Sequence, residues 1–546
     1  MIAQTSSGWV TILILVIACA TLCFSFAGKI SLAQLVTMAT ILLLLLFKHK
    51  RAHNEEVSRL PPGPTTLPVI GNMHQIVWNK PAVFRWIHSL FKEMGTDILC
   101  LHLGSTRVIA VTCPELAREV LQKNDAVFAN RPTMLTSGSI TLGYKGSIFS
   151  PYGEQWKKMK RVLTTKILTP SMEKQLHYLR EEESGHLVRY IYNTCNNSID
   201  VCHVSQHFCG NLIRSIVFGK RYFNEPPASS TGEPGCDEVA HIYALFMLMN
   251  YVYSFSMLDY FPTLVGLNLG GYEKVVKQFM TTLNRLHDPI IEERISQRST
   301  LRGQGEKRDF LDVLVSLEDS EGRPLLSIEE IQAQTVEIMY ATIDNPSNSV
   351  EWALAEMMNN PEVMQKAIQE LDRVVGKERL VEESDIPKLN YLKSCIREAF
   401  RIHPYHAFNL PHVAIVDTVI AGNKIPKDSQ IILSKVGLGR NPKFWNEPLE
   451  FQPERHLNDH DSNTNVSISE PELHFLSFST GRRGCPGISL GTSVTMMLFA
   501  RMLQGFTWTK PSGTDKINLE ESYTGLALAE PWFCKLNHGW PSISMV

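Results

Sequence analysis

One of the eleven cysteines stands in a sequence setting that could do chemistry. Cys485 lies within Phe478-Ser-Thr-Gly481-Arg-Arg483-Gly-Cys485-Pro-Gly487, a tight Gly/Pro turn with two arginines just before the sulfur. A lone thiolate with no second Cys or His close by cannot close a tetrahedral zinc site, which takes four ligands. It can be a buried structural thiol. It can also be the single axial ligand of a haem iron, pushing electron density toward O–O cleavage. Arg483 would offset the negative charge of the thiolate or of haem propionates. Apolar, helix-compatible sequence follows from Ile488 to Leu503, and its positive N-terminal end would stand beside the sulfur.

A second set of polar residues falls inside an apolar, helix-periodic stretch. Ser327, with Glu329 and Glu330 behind it, predicts the start of a long helix over 328–360. Within it lie Asp344-Asn345-Pro346-Ser347-Asn348, where proline removes a donor and predicts a kink. An acid and two amides at such a bend are either solvated at a surface or face a cavity or each other. Trp156 and Lys160 sit four apart in the basic amphipathic segment Tyr152–Arg161, which is either a solvated face or an anion-binding one. Glu398 and Arg401, three apart, share one helix face and on spacing alone read as an ordinary ion pair.

The pattern Phe-x-x-Gly-x-Arg-x-Cys-x-Gly, complete at Phe478, Gly481, Arg483, Cys485 and Gly487, resembles the haem-binding loop of the cytochromes P-450. The resemblance implies a mainly α fold with small β-sheets, the cytochrome P-450 fold with an N-terminal membrane anchor. It implies haem b (iron protoporphyrin IX), with Cys485 as the iron ligand and Phe478 and Gly487 in the loop that cradles it. Propionate contacts are implied for Arg483, His412, Trp156 and Lys160. Here the chain departs from the family, which carries arginine four residues after the tryptophan; lysine neutralises as a point charge without the bidentate fork. Glu398 and Arg401, joined by Arg455 of Pro453-Glu-Arg455, resemble the buried structural triad behind the haem loop. The stretch around Ala341–Asn345 resembles the oxygen-binding helix, with Asp344 and Asn345 as the implied catalytic residues on the distal side. Asn345 replaces the usual threonine, and an amide cannot relay a proton as a hydroxyl can.

That departure is specific in its own way. Asp344-Asn-Pro-Ser-Asn348 followed by Glu351-Trp352, with Phe408-Asn409-Leu-Pro-His412 and Ser477-Phe-Ser-Thr-Gly481, resembles the aldoxime-forming amino-acid N-monooxygenases of plants. The implied activity is NADPH- and O2-dependent: an L-amino acid, aromatic such as phenylalanine, is N-hydroxylated twice, then dehydrated and decarboxylated. The implied partner is a membrane-bound NADPH–cytochrome P-450 reductase. Substrate contacts are expected from the loop Thr133–Lys145, from Phe408 and Asn409, and from the turn Thr524–Leu526. The competing readings are a C-hydroxylating monooxygenase, a haem-thiolate isomerase or dehydratase, and a haem sensor without turnover.

The rest of the chain supplies the elements that would hold these residues. With 44% hydrophobic and 20% charged residues the composition is that of a globular protein. A net charge of -2 gives no reason to expect a nucleic-acid partner. Cysteines odd in number, without a Cys-x-x-Cys pair, speak against a disulfide framework and for a reducing compartment. Residues 1–52 read as a membrane anchor of one or two hydrophobic spans, from Trp9 to Ala27 and from Ile30 to Phe47. The basic cluster Lys48-His-Lys-Arg51 predicts that the following domain faces the cytosol from the endoplasmic reticulum membrane. Residues 53–68 form a proline-rich hinge around Leu60-Pro-Pro-Gly-Pro64, and 69–546 the haem-thiolate catalytic domain. Loops are expected at 226–235 and 301–308.

Overall fold

Ser327 and Glu330 fix the start of the rod on which the domain is assembled. The Ser327 hydroxyl accepts from the Glu330 N–H, and the Glu330 carboxylate accepts from the Ser327 N–H at 2.8 Å, a reciprocal cap. The helix then runs from Ile328 to Asn359, as the periodicity predicts. Pro346 leaves the Thr342 carbonyl without its helical donor but does not end the helix. Ile331, Met339, Ile343, Trp352 and Leu354 are all buried, on every side of the rod, which marks a central helix rather than a surface one.

The computed structural model describes residues 60–80, 82–194, 198–221, 235–252, 257–261, 272–298, 309–457, 465–510, 513–523, 525–530 and 532–538. The expected anchor, most of the loop 226–235, the loop 301–308 and Thr524 lie outside them. Among the described residues no helix is long and apolar enough to cross a membrane. The chain divides into two units, 1–60 and 61–546, and the described helices and sheets all belong to the second.

The helices that build the site are, in chain order, α1 (Glu154–Val162), α2 (Val201–Phe218), α3 (Ile328–Asn359, the central rod), α4 (Asn390–Ile402) and α5 (Ile488–Leu503). α2, α4 and α5 pack directly on α3 and share one hydrophobic core with it. Among the described residues, nine short strands make three small sheets: β1 (Ile98–Leu103), β2 (Thr106–Val111), β3 (Ser198–Asp200), β4 (His412–Val413), β5 (Thr418–Ile420), β6 (Asn423–Ile425), β7 (Gln430–Leu433), β8 (Phe506–Thr509) and β9 (Phe533–His538). The largest has the order β1-β2-β7-β4, with β2 and β7 parallel and the other pairs antiparallel. The sequence predicts a strand over 407–412; His412–Val413 forms one, His412 opposite Ile431, and Phe408 makes a separate antiparallel bridge to Ser434. Pro411 has no N–H to give a ladder, so the pairing is broken between Phe408 and His412.

Glu398 and Arg401 are both fully buried, so they are not an ordinary surface pair. The Arg401 Nε and Nη2 donate to the two Glu398 oxygens at 2.8 and 2.7 Å. Arg455 Nε and the Gln452 N–H reach the same carboxylate at 2.9 and 3.0 Å. His456, which sequence reasoning did not assign, lies 2.8 Å from it. Arg401 Nη1 also donates to the carbonyls of Gly439 and Pro448 at 2.6 and 2.7 Å. One carboxylate therefore ties α4 to the chain entering the haem-loop region. Burial alone would raise the Glu398 carboxyl; Arg401 and His456 overcome it and hold it down at about 2.

Replacing Glu398→Gln leaves the buried Arg401 without its counter-charge and is expected to destabilise the domain by about 3–5 kcal/mol. Because the folded carboxyl titrates below an unfolded one (about 4.3), its contribution is complete above that value and is lost as pH falls toward 2. Thermal midpoints of parent and Glu398→Gln should differ most above about pH 4.5 and converge below it.

Candidate active site

The loop before α5 closes on itself by backbone bonds. The Cys485 N–H donates to the Phe478 carbonyl at 2.9 Å and the Gly484 N–H to the Gly481 carbonyl at 3.1 Å. Gly481 has φ +74, and a Cβ there would stand 2.1 Å from the Leu121 carbonyl oxygen, so no other residue fits the turn. The Phe478 ring packs edge-on to Phe400 at 5.9 Å. α5 starts directly after Gly487, whose N–H points at the Cys485 sulfur. Burial pushes the thiol up, while the Gly487 N–H and the Lys435 ammonium pull the other way.

Cys485 is solvent-accessible, yet protein surrounds it closely. Both hold because the solvent it meets is that of an internal cavity of about 310 Å³. The Cys485 loop lines it, and so do Ala341, Thr342 and Asn345 of α3. The resemblance expects these two segments to face each other; α3 and α5, packed together, bring both to one cavity.

One end of the cavity is strongly cationic. Arg483 donates through Nε to the Ala129 carbonyl at 2.6 Å and through Nη2 to the Ser150 carbonyl at 2.7 Å, while its Nη1 is buried with no partner. Burial, then the Arg131 guanidinium, pushes Arg483 down to about 8. Trp156 lies between two cations, the Arg483 guanidinium 4.4 Å and the Lys160 ammonium 5.0 Å from its ring centre. Lys160 also donates to the Arg482 carbonyl, clamping α1 to the loop, whereas Arg161 is exposed. His412 is buried, and its Nδ1 donates to the Phe128 carbonyl at 2.7 Å. Burial and Arg131 hold the ring neutral, down to about 3, so its Nε2 is an acceptor.

Cys485, Phe478, Arg483, Gly487, Trp156, Lys160, His412, Asn345 and Asn409 thus line one cavity. Asp344 does not. It is buried beside α2, hydrogen-bonded to Tyr405 and pushed well above the usual carboxylate range by burial. Successive helical residues point about 100° apart, and at this position the step turns Asp344 from the cavity while Asn345 lines it. Phe408 is likewise turned from the cavity and stacks on His88 at 5.5 Å, part of the core beneath the sheet. Asn409 lines the wall, with its Oδ1 accepting from the Leu433 N–H at 2.7 Å. No residue of 133–145 lines the cavity; Ser147 and Ile148, just beyond, do. Leu526 is buried and away from the cavity wall, and Thr524 lies outside the described residues.

Sequence reasoning missed Arg131, Lys435, Gln334 and Glu337, all on the cavity wall. Arg131 Nη1 donates to the Leu410 and Pro411 carbonyls, both at 2.8 Å. Burial pushes the Lys435 ammonium down to about 8, against the opposing pull of Cys485. For Gln334 and Glu337 a signal existed: they stand seven and four residues before Ala341, on the same helix face.

The cytochrome P450 family model matches residues 61–533. The chain belongs to the cytochrome P450 family. It is 53% identical to tyrosine N-monooxygenase of Sorghum bicolor, over 89% of this chain and 88% of that one. It is 47% identical to tryptophan N-monooxygenase 1 of Arabidopsis thaliana (93% of each chain) and 49% identical to valine N-monooxygenase 1 of Manihot esculenta (88% of each). A zebra fish cytochrome P450 solved with progesterone superposes with a TM-score of 0.68 at 24% identity, over 83% of this chain and 99% of that one.

The family implies a haem iron, and the cavity fits one. A thiol on one wall, an orphaned buried guanidinium N–H and a set of cations at one end match a thiolate-ligated porphyrin with two carboxylates. Substituting Arg483→Leu removes the orphaned donor. Haem transfer from the variant to excess apomyoglobin should run at least about tenfold faster than from the parent, with secondary structure unchanged.

Proposed function

We propose that the protein is a haem-thiolate monooxygenase that converts an L-amino acid to its aldoxime by two N-hydroxylations, dehydration and decarboxylation. The observation that carries this reading is that Cys485 and Asn345 line one cavity, in a chain whose near relatives over almost their full length are amino-acid N-monooxygenases. A haem held by Cys485 supplies the activation of dioxygen. Arg483, Arg131, His412, Trp156 and Lys160 would hold its propionates, and the Gly487 N–H and Lys435 would support the thiolate. Asn345 hydrogen-bonds a water or the substrate amine where a hydroxyl is missing. Asp344 takes a supporting part, turned from the reacting atoms. Phenylalanine is the first substrate to try, since relatives named for aromatic and for branched amino acids are both close.

In the same reading, residues 1–52 anchor the protein in the endoplasmic reticulum membrane, 53–68 form the hinge, and the catalytic domain faces the cytosol. Electrons come from NADPH through a membrane-bound reductase. The support is the hydropathy of residues 9–47 and the basic cluster after it.

Microsomes carrying the chain and a reductase, supplied with single amino acids, should form an oxime only when NADPH is present. Product without NADPH points to an isomerase, and a C-hydroxylated product to the other monooxygenase reading. Cys485→Ser should abolish both the thiolate-type reduced carbon-monoxide spectrum and the oxime. Asn345→Thr should change the oxime formed per NADPH by about threefold or more; unchanged coupling removes Asn345 from the mechanism.

A further inference from the structure

Two arginines precede the Cys485 sulfur in the chain, yet neither supplies its counter-charge. Arg482 lies 3.5 Å from Asp125, and Arg483 donates to the Ala129 and Ser150 carbonyls at 2.6 and 2.7 Å. The charged side chain that acts on the sulfur comes from far earlier in the sequence. Lys435 and Cys485 line the same cavity, and each favours the charged form of the other. Among the described residues no hydrogen bond or ion pair reaches the Lys435 ammonium. The cations of the other group crowd one another: Arg131 acts on Arg483, and Arg483 on Lys160. None of them acts on Lys435.

The backbone on both sides fixes where Lys435 enters the cavity. β7 ends at Leu433; the Ser434 N–H then donates to the Val111 carbonyl and the Lys435 N–H to the Ala407 carbonyl, both at 2.8 Å. The Ser434 hydroxyl accepts from the Gly437 N–H at 2.7 Å and opens the short helical turn Lys435–Gly439. The far end of that turn is held by the buried triad: Arg401 donates to the Gly439 carbonyl at 2.6 Å. A Cβ on Gly439 would stand 2.0 Å from the Arg401 carbonyl oxygen, so the turn packs directly on α4. An enclosed ammonium with no acceptor is costly, and burial does oppose its charge. A thiolate in the same cavity offsets that cost.

We propose that Lys435 is a positioning residue that acts through Cys485: its ammonium stabilises the negative charge of the thiolate and so makes a haem iron bound there easier to reduce. The assignment rests on the haem-thiolate part of the proposed function, in which Cys485 is the iron ligand. Charge and polarity around an axial ligand are levers by which a protein sets a reduction potential. A positive charge beside the sulfur draws electron density from the iron and favours the ferrous state, which carries one more electron. That electron comes from the reductase; the sulfur stays bound and no bond breaks. Lys435 thus links the Glu398–Arg401 network, which fixes its turn, to the electronics of the site.

The test uses the full-length holoenzyme without substrate and reads the ferric–ferrous potential by dye-mediated dithionite titration. Lys435→Met keeps the reach of the side chain and removes its charge; the equilibrium should move about tenfold toward the ferric state, ~59 mV for one electron. Lys435→Arg keeps the charge and should stay within about threefold of the parent. The reduced carbon-monoxide spectrum reports separately whether Cys485 remains a thiolate ligand. A thiol-type spectrum in Lys435→Met but not in Lys435→Arg also supports the assignment. A Lys435→Met potential within about threefold of the parent, with the thiolate-type spectrum kept, overturns it, as does an equal shift in Lys435→Arg. Should Lys435→Met fail to retain haem, Lys435→Gln carries the same titration. Haem held by Lys435→Arg and by neither neutral variant supports the assignment, and haem lost from all three overturns it. A parent without a thiolate-type spectrum sinks the haem-thiolate reading, and this assignment with it; a parent with that spectrum and variants that match it sinks Lys435 alone.

Discussion

Positive charge is concentrated around the cavity beyond what the surrounding protein neutralises. Arg131, Arg483, Lys160 and Lys435 converge there beside the neutral His412, and burial pushes Arg483, Lys435, Lys160 and His412 below their ordinary values. Burying one cation without a partner costs several kcal/mol, and several together repel one another. A fold can keep such a cluster only if a resident group brings the missing negative charge. A thiolate-ligated haem with two propionates does so, and folding and cofactor binding then become one free-energy balance.

The Glu398 network is the counterpart of that cluster. There the protein supplies both signs itself: one carboxylate meets Arg401, Arg455 and His456, and the Arg401 fork is completed by backbone carbonyls. The contrast separates structural charge from functional charge. In the first case every buried polar group is satisfied within the chain; in the second an Arg483 nitrogen, a Glu337 oxygen and the Gln334 amide are left over. Natural proteins rarely leave such groups buried and unpaired.

α3 turns a line of sequence into two environments. Asp344 and Asn345 are neighbours in the chain, yet one is buried toward Tyr405 and the other lines the cavity. Gln334, Glu337, Ala341 and Asn345 recur at helical spacing and share the cavity side. Pro346, one residue beyond the series, removes a single backbone bond and leaves the rod helical.

The sequence alone determined the tight turn around Cys485, the capped start of the central helix, the extent of α5 and the Glu398–Arg401–Arg455 triad. Each is carried by residues close in the chain, or by a motif whose spacing is itself the signal. It also indicated the family branch, through Asn345 in place of threonine. Which side of α3 faces the thiol, the turning of Phe408 onto His88, and the gathering of Arg131, Lys435 and Glu337 at the cavity were decided only in the folded domain. These depend on contacts between residues up to hundreds of positions apart. A local pattern says that a side chain is polar; only packing says whether its partner has been provided.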